Sequence, residues 1–159
     1  MQELVLFLGL KGVTYKTNDY MNSHFGQKEL FERAVLSLKE YFDLRIVVSQ
    51  ETTTLFPLDY CRKQFSEDVA SCIIDESEVV ETENKDGPSY NRFFEIYNWI
   101  DKVGYSEYWI AIDYDINYWK DSPTTVKDCV VIVDEIFNED NLQELIQKAL
   151  SFYESEKMS

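Results

Sequence analysis

The chain has 159 residues, is 45% hydrophobic and 15% aromatic, and carries a net charge of −15 with a pI near 4.3. This length suits a single globular domain over residues 1–159, and the apolar content is too high for a disordered chain. The negative charge disfavours nucleic acid and anionic membranes as partners, and no apolar run is long enough to span a membrane.

The charge is unevenly distributed along the chain. Residues 1–50 carry six basic and six acidic side chains, whereas residues 51–159 carry nine basic and twenty-four acidic ones. The acids are densest over residues 67–86, where eight of them accompany one lysine. Because a negative surface attracts and steers positive ones, this segment favours a basic protein as partner.

The N-terminal half predicts two strands and a helix. Residues 4–8 are a short apolar run that ends at Gly9, which indicates a buried strand rather than a signal peptide, and we expect a cytoplasmic protein. A polar stretch over 11–27 leads into a helix predicted over 27–42. The β-branched run over 45–48 predicts the second strand.

The middle of the chain predicts two helices around a charged strand. Apolar side chains at helical spacing predict one helix over 58–72, and residues 78–82 suit a short edge strand. The turn signal at 84–88 precedes a helix that starts near Ser89 and stops at Gly104. Its predicted buried stripe comprises Tyr90, Phe93, Phe94, Tyr97 and Ile100.

The C-terminal third predicts strands over 108–114 and 130–133, joined by a polar segment, and a final helix capped by Asn138 or Asp140. Strands alternate with helices except at these last two. The predicted fold class is therefore α/β (or α+β), with a mixed central sheet of about five strands covered by about four helices.

Most chemical motifs are missing from the sequence. Cys61, Cys72 and Cys129 are odd in number and contain no C-x-x-C pair, so we expect core residues rather than disulfides or a thiolate metal site. The segment 9–17 lacks the glycine that a phosphate-binding loop needs before its lysine. His24 is the sole histidine. We expect no cofactor.

Carboxylates follow the last two predicted strands and offer one route to chemistry. Asp113 and Asp134 would approach each other if their strands were neighbours, and converging carboxylates hold Mg²⁺ in phosphoryl-transfer sites. No motif supplies an accompanying base, so solvated acids at strand ends remain the favoured interpretation, and a metal-dependent hydrolase is the alternative.

Aromatic side chains beside these acids suggest a binding surface. Tyr118 and Trp119 lie in a polar connection, and exposed Tyr and Trp are enriched at protein–protein hot spots. In the alternative arrangement, Trp119 folds back over the sheet. The predicted partner-binding residues are Asp113, Asp115, Tyr118, Trp119 and Asp121, followed by Glu76, Glu78, Glu81 and Glu83.

These features favour a protein-binding function over an enzyme. We expect an acidic inhibitor or immunity-type protein that blocks a basic partner such as a nuclease toxin, whose active site is basic because it holds phosphates. The alternatives are the metal-dependent hydrolase and an adaptor or self-assembling scaffold. The sequence leaves the partner and the oligomeric state open.

Overall fold

The structure is a computed structural model that describes residues 1–15, 25–84, 87–105, 108–120 and 122–158. His24 and Asp121, both considered above, lie outside these residues.

The described residues form a strand-rich centre surrounded by helices. The strands are β1 (Glu3–Leu8), β2 (Asp43–Ser49), β3 (Ile73–Ser77), β4 (Glu81–Asn84), β5 (Gly87–Tyr90), β6 (Tyr108–Asp113) and β7 (Val130–Ile132). The α-helices are α1 (Glu29–Lys39), α2 (Gln50–Thr53), α3 (Leu58–Lys63), α4 (Glu67–Ala70), α5 (Arg92–Val103) and α6 (Glu139–Met158), and two 3₁₀ helices are η1 (Ile116–Trp119) and η2 (Thr124–Cys129).

The central sheet contains five strands in the order β3-β2-β1-β6-β7, and each neighbouring pair is parallel. The chain moves outward from β1 to β3, then returns past β1 to build β6 and β7. This order defines a doubly wound α/β fold, so the predicted class and the five-stranded sheet are confirmed. Antiparallel pairing occurs in the separate β4–β5 hairpin. The turn predicted at 84–88 includes residues 85 and 86, which lie outside the described residues.

Both faces of the sheet are covered, as its parallel strands require. Leu4, Leu6 and Leu8 point to the face packed by α1 and α6, while Val5 and Phe7 point to the face packed by α5 and the 3₁₀ helices. All five side chains are at most 2% exposed. Burying a side chain of this size contributes roughly 1.5–3 kcal/mol, so β1 anchors both halves of the core.

The helix predicted over 58–72 is two short helices, α3 and α4. Ser66 has an extended backbone with ψ 157°, which ends any continuous helix there. Its N–H donates to Glu32 Oε1 at 2.7 Å, which ties the break to α1. The apolar periodicity survives the break because Cys61, Phe65 and Val69 still face the same core.

The strand predicted over 78–82 lies elsewhere. The edge strand of the sheet is Ile73–Ser77, and Glu81 belongs instead to the β4–β5 hairpin. Ile73 is buried at 2% exposure while Ile74 is 39% exposed. An edge strand with one buried isoleucine followed by acids has too weak an apolar pattern to be located from sequence.

The buried face of α5 differs in part from the predicted one, since Phe93 and Ile100 are half-buried against the core whereas Phe94 and Tyr97 are not. Phe94 and Tyr97 are 48% and 46% exposed, and the buried residues are Arg92, Glu95, Ile96 and Trp99. Both sets have helical spacing, so periodicity alone does not choose between them. The predicted stop at Gly104 is confirmed, with φ at +71° in the left-handed region that favours glycine.

Two further predictions are confirmed, the capping of α6 by Asn138 and the burial of Cys61 and Cys72. Asn138 caps α6 by accepting from Asn141 N–H at 2.9 Å, and Asn138 N–H donates to Asn141 Oδ1 at 3.1 Å. Cys61 and Cys72 are buried free thiols, and burial raises the pKa of Cys61 to about 11. Among the described residues, no helix combines the length and apolar character needed to cross a bilayer.

Candidate functional site

In doubly wound folds, ligands bind outside the carboxyl ends of the strands, near the point where the strand order reverses. Here that point lies between β1 and β6. Ser49, Ser77 and Asp113 are the last residues of β2, β3 and β6, so their side chains meet at this edge of the sheet. The first turn of α5 brings Arg92 to the same place.

Arg92 is the centre of an internal ion cluster, which we call the Arg92 cluster and which comprises Arg92, Glu51, Glu95 and Asp113. Its Nε donates to Asp113 Oδ2 at 2.8 Å, its Nη1 to Glu95 Oε1 at 2.8 Å, and its Nη2 to Glu51 Oε2 at 2.5 Å. Nη1 also donates to Ser49 Oγ at 2.5 Å. The Arg92 side chain is 4% exposed, so the guanidinium is held almost entirely by this chain.

Three carboxylates share a single guanidinium in the Arg92 cluster. Burial would lower the pKa of Arg92, but the charges of Asp113, Glu95 and Glu51 outweigh it and raise that pKa well above its ordinary value. Burial raises the pKa of Glu95 and of Asp113 despite the opposing charge of Arg92. Arg92 therefore stays positively charged, and Glu95 and Asp113 bind protons more readily than free carboxylic acids do.

Aromatic side chains close the cluster from outside. Tyr114 and Tyr118 donate their hydroxyls to Glu51 Oε1 at 2.5 and 3.3 Å, and Trp119 Nε1 donates to Asp113 Oδ2 at 3.0 Å. The Arg92 guanidinium lies 5.1 Å from the centre of the Tyr118 ring. Burial is the main reason that the pKa of both tyrosines is raised, so their hydroxyls stay protonated and act as donors.

The Arg92 cluster is therefore structural, and two predicted partner-binding residues are buried within it. Asp113 is 2% exposed and Trp119 is 7% exposed, so neither presents the exposed side chain that a protein-binding hot spot needs. Asp113 also accepts from Tyr114 N–H at 2.9 Å through its second oxygen. The arrangement observed is the alternative in which Trp119 folds back over the sheet, because its indole N–H satisfies a buried carboxylate.

The other residues predicted with them are separate from the cluster or at its rim. Tyr118 is half-buried at the rim, and Asp115 accepts from Asn117 N–H at 2.9 Å as the cap of η1. Asp134 is exposed, whereas Asp113 is committed to Arg92. Within the described parts of the chain, no group of three or more His, Cys, Asp or Glu residues is placed to hold a metal ion.

The second predicted set lies near the edge strand and is partly brought together. Glu76 and Glu78 line a groove between β3 and α5, while Glu81 is exposed on the β4–β5 hairpin. Glu83 lies in β4, but its side chain is outside the described residues.

We call this the acidic groove. It has a volume of about 200 Å³ and is lined by Asp75, Glu76, Glu78 and Glu95, with Lys102 as the basic residue among its described lining residues. The remaining described lining residues are Gln50, Asn98, Trp99 and Val103. Because Glu95 is paired with Arg92, the potential of the groove is made negative by Asp75, Glu76 and Glu78 against one ammonium, and concave walls of low dielectric strengthen that potential.

Hydrogen bonds hold the carboxylates of the groove in place. Asp75 accepts from Trp99 Nε1 at 2.8 Å, and Glu76 accepts from the hydroxyl of Thr53. Glu95 accepts from Ser77 Oγ at 2.5 Å as well as from Arg92. The acidic groove and the Arg92 cluster therefore share Glu95, and the rigid cluster supports the floor of the groove.

Sequence analysis missed Arg92, Glu95, Asp75 and Trp99 as members of these sites. A signal for three of them is present, because Arg92, Glu95 and Trp99 recur with Ile96 at i, i+3, i+4 and i+7 on one face of α5. An ion pair at i, i+3 inside an apolar stripe indicates a buried network on that face.

The fold and the sites define this molecule as a doubly wound α/β protein whose switch point is filled by its own ion cluster. No family model, curated protein or solved structure matches the chain.

Proposed function

We propose that this protein binds a basic protein partner through the acidic groove, as an inhibitor or immunity-type protein that blocks a positively charged active site such as that of a nuclease toxin. The observation that carries the proposal is the groove itself, with Asp75 and Glu76 on the edge strand β3 and Glu78 directly after it. A lysine or arginine side chain of the partner would replace water there and pair with these carboxylates.

The charge of the whole chain supports the same class of partner. A net charge of −15 steers a basic protein toward the molecule before contact and repels nucleic acid competing for it. A nuclease active site is positively charged, so an acidic blocker of such a site gains both a fast encounter and charge pairs that lose their water on docking.

The Arg92 cluster supports a binding role over ligand chemistry at the switch point. Its guanidinium donates to three carboxylates and a serine of this chain, which leaves it committed when an anionic substrate arrives. The metal-dependent hydrolase considered above would rely on Asp113, whose two oxygens accept from Arg92, Trp119 and Tyr114. That alternative gains no support.

Hydrogen bonds within the chain already occupy backbone groups of the edge strand β3, which favours recognition of the partner through side chains. Arg62 Nε donates to the Ile73 carbonyl at 2.8 Å, and Glu76 N–H donates to the Asp75 side chain at 2.8 Å. These backbone groups are those that an added strand would need. The partner would therefore dock a basic side chain into the groove without extending the sheet.

A capture experiment tests the proposal. The immobilised protein is exposed to cell extract from its source, and bound proteins are eluted with rising salt and identified by mass spectrometry. We expect a stoichiometric basic protein that elutes at high salt, because opposite charges hold it. The same bait carrying Glu76→Gln and Glu78→Gln should lose it.

A matched control separates the groove from net charge. Glu40→Gln with Glu67→Gln removes two exposed carboxylates near the opposite face of the sheet and should retain the partner. Equal capture by the groove variant and this control would contradict the proposed site. If no basic protein is captured by any bait, the proposed function fails, and concentration-dependent mass would then test the self-assembly alternative.

A further inference from the structure

An apolar cleft lies at the opposite edge of the sheet from the acidic groove. It has a volume of about 440 Å³ and opens between η1, η2 and β7; we call it the β7 cleft. Its apolar walls are Ile116, Trp119, Val126, Val130 and Ile132. This volume is within the range of roughly 300–1,000 Å³ that is typical of small-molecule sites.

The cleft follows from the way the chain connects β6 to β7. Helices α1 and α6 cover one face of the sheet, whereas on the other face the connection from β6 to β7 contains the two short 3₁₀ helices η1 and η2. Val131 and Val133 point to the helix-covered face and are fully buried, whereas Val130 and Ile132 point to the 3₁₀ face and stay half-buried. Among the residues that the structure describes, no further element covers the apolar stripe beside Trp119.

The charged side chains among the described residues that line the cleft are basic, whereas the molecule as a whole is acidic. Among the described lining residues, the charged ones are Lys120 and Lys127, and both are exposed. Two ammonium groups beside an apolar cleft are unusual in a chain of net charge −15. A ligand with an apolar body and an anionic end would satisfy both features.

The edge of β7 is closed to an added peptide strand. The Val130 carbonyl accepts from Lys148 Nζ at 2.6 Å, and the Ile132 carbonyl accepts from Asn141 Nδ2 at 3.3 Å. The backbone acceptors that strand addition would use are thus already bonded to α6. This favours a compact molecule over an extended peptide.

We propose that the β7 cleft binds a small amphipathic carboxylate, with its aliphatic or aromatic body against Trp119, Val126 and Ile132 and its carboxylate near Lys120 and Lys127. This site is independent of the proposed function, because the acidic groove lies at the other edge of the sheet and shares no lining residue with it.

Methyl-resolved NMR with octanoate tests the site. Octanoate is titrated into protein labelled at isoleucine and valine methyls, alongside 1-octanol and octylammonium as neutral and cationic analogues. We expect saturable shifts at Ile116, Val126 and Ile132, with octanoate binding more tightly than either analogue. Shifts spread evenly over the protein, or equal binding of octylammonium, would overturn the proposal.

A charge variant separates anion recognition from apolar association. Lys120→Gln with Lys127→Gln should weaken octanoate binding by roughly three- to tenfold, the range expected for two exposed charge contacts, and leave octanol binding unchanged. Lys63→Gln with Arg33→Gln removes two exposed basic side chains outside both clefts and should bind octanoate as the unchanged protein does. Equal affinities for the two double variants would refute the assignment to Lys120 and Lys127.

Discussion

At the scale of single residues, Arg92 contributes most to the arrangement of this molecule. It joins the ends of β2 and β6 to α5 and to Glu51 just after β2. Burying an ion pair costs desolvation free energy, which offsets much of the attraction between the charges. Removing one partner is strongly destabilising, because the other charge is then left without its counter-charge. The three carboxylates around Arg92 would be left buried without a counter-charge.

Arg92→Met should therefore lower the free energy of unfolding by about 3–5 kcal/mol. Urea denaturation followed by circular dichroism measures the change. Arg33→Met is the matched control, because Arg33 pairs with Glu139 at the surface with side-chain exposures of 59% and 62%. It should cost less than about 1 kcal/mol, and similar losses for the two variants would argue against a structural role for the cluster.

The raised pKa of Glu95 makes a second prediction, on the pH dependence of stability. Burial raises its pKa in the folded state, so its favourable contribution is full below the unfolded-state pKa and is lost as pH rises through the folded-state value. Stability should therefore fall from about pH 4.5 toward neutrality.

In the Glu95→Gln variant this side chain does not titrate. The free energy of unfolding should therefore change less steeply with pH, by at most about 1.4 kcal/mol per pH unit. Unfolding curves at several pH values measure it, and the exposed Glu78→Gln serves as control. A slope that is the same in both variants would show that Glu95 does not titrate in this range. A residual slope from Asp113 is expected, because burial raises its pKa as well.

At the scale of elements, periodicity located the helices but did not orient α5. The spacing of Phe93, Phe94 and Tyr97 is as regular as that of Glu95, Ile96 and Trp99, and hydrophobicity favours the first set. The second set is buried because Arg92 and Glu95 reach Ser49, Ser77 and Asp113, which come from three different strands. Such a network depends on the strand order, which one helix does not encode.

Short elements were similarly beyond prediction. α2 and α4 have four residues each, and their formation depends on caps such as Ser49 Oγ, which accepts from Glu51 N–H at 3.2 Å. The signal at Gly104 was readable because it is local: glycine is favoured where the chain turns into the left-handed region after a helix.

Gly104→Ala should destabilise the protein by about 1 kcal/mol, because alanine is strained at φ +71°. No atom lies within 4 Å of the added Cβ, so the cost reports backbone conformation rather than a clash. Thermal denaturation measures it. Gly9→Ala is the matched control, since its Cβ also meets nothing within 4 Å and its φ is not positive, and it should leave stability unchanged or raise it by roughly 0.4–1 kcal/mol.

At the scale of the whole molecule, two clefts of opposite character occupy the two edges of one sheet. The acidic groove beside β3 is lined by four carboxylates, and the β7 cleft is apolar with two lysines. The intervening strands carry core side chains on both faces of the sheet, and the ends of β2 and β6 contact Arg92. The two clefts share no described lining residue.

The net charge makes a prediction about stability in salt. Repulsion among the excess acids opposes the compact state, and raising the ionic strength from 0.01 to 0.15 M shortens the Debye length from about 30 to about 8 Å. The urea midpoint should therefore rise over this range. Glu40→Gln with Glu67→Gln, which reduces the net charge, should show a smaller rise, and a fall in the midpoint would show that screened attractions dominate.

The sequence by itself determined the α/β class, the five-stranded sheet, the stop of α5 and the start of α6, because apolar periodicity, Gly104 and Asn138 act over a few neighbouring residues. Only the tertiary structure decided which face of α5 is buried and which acids reach solvent. Asp113 and Trp119 carry the same local signals as an exposed binding pair. They are buried because strand order brings Arg92, forty or more residues from Ser49, to their side.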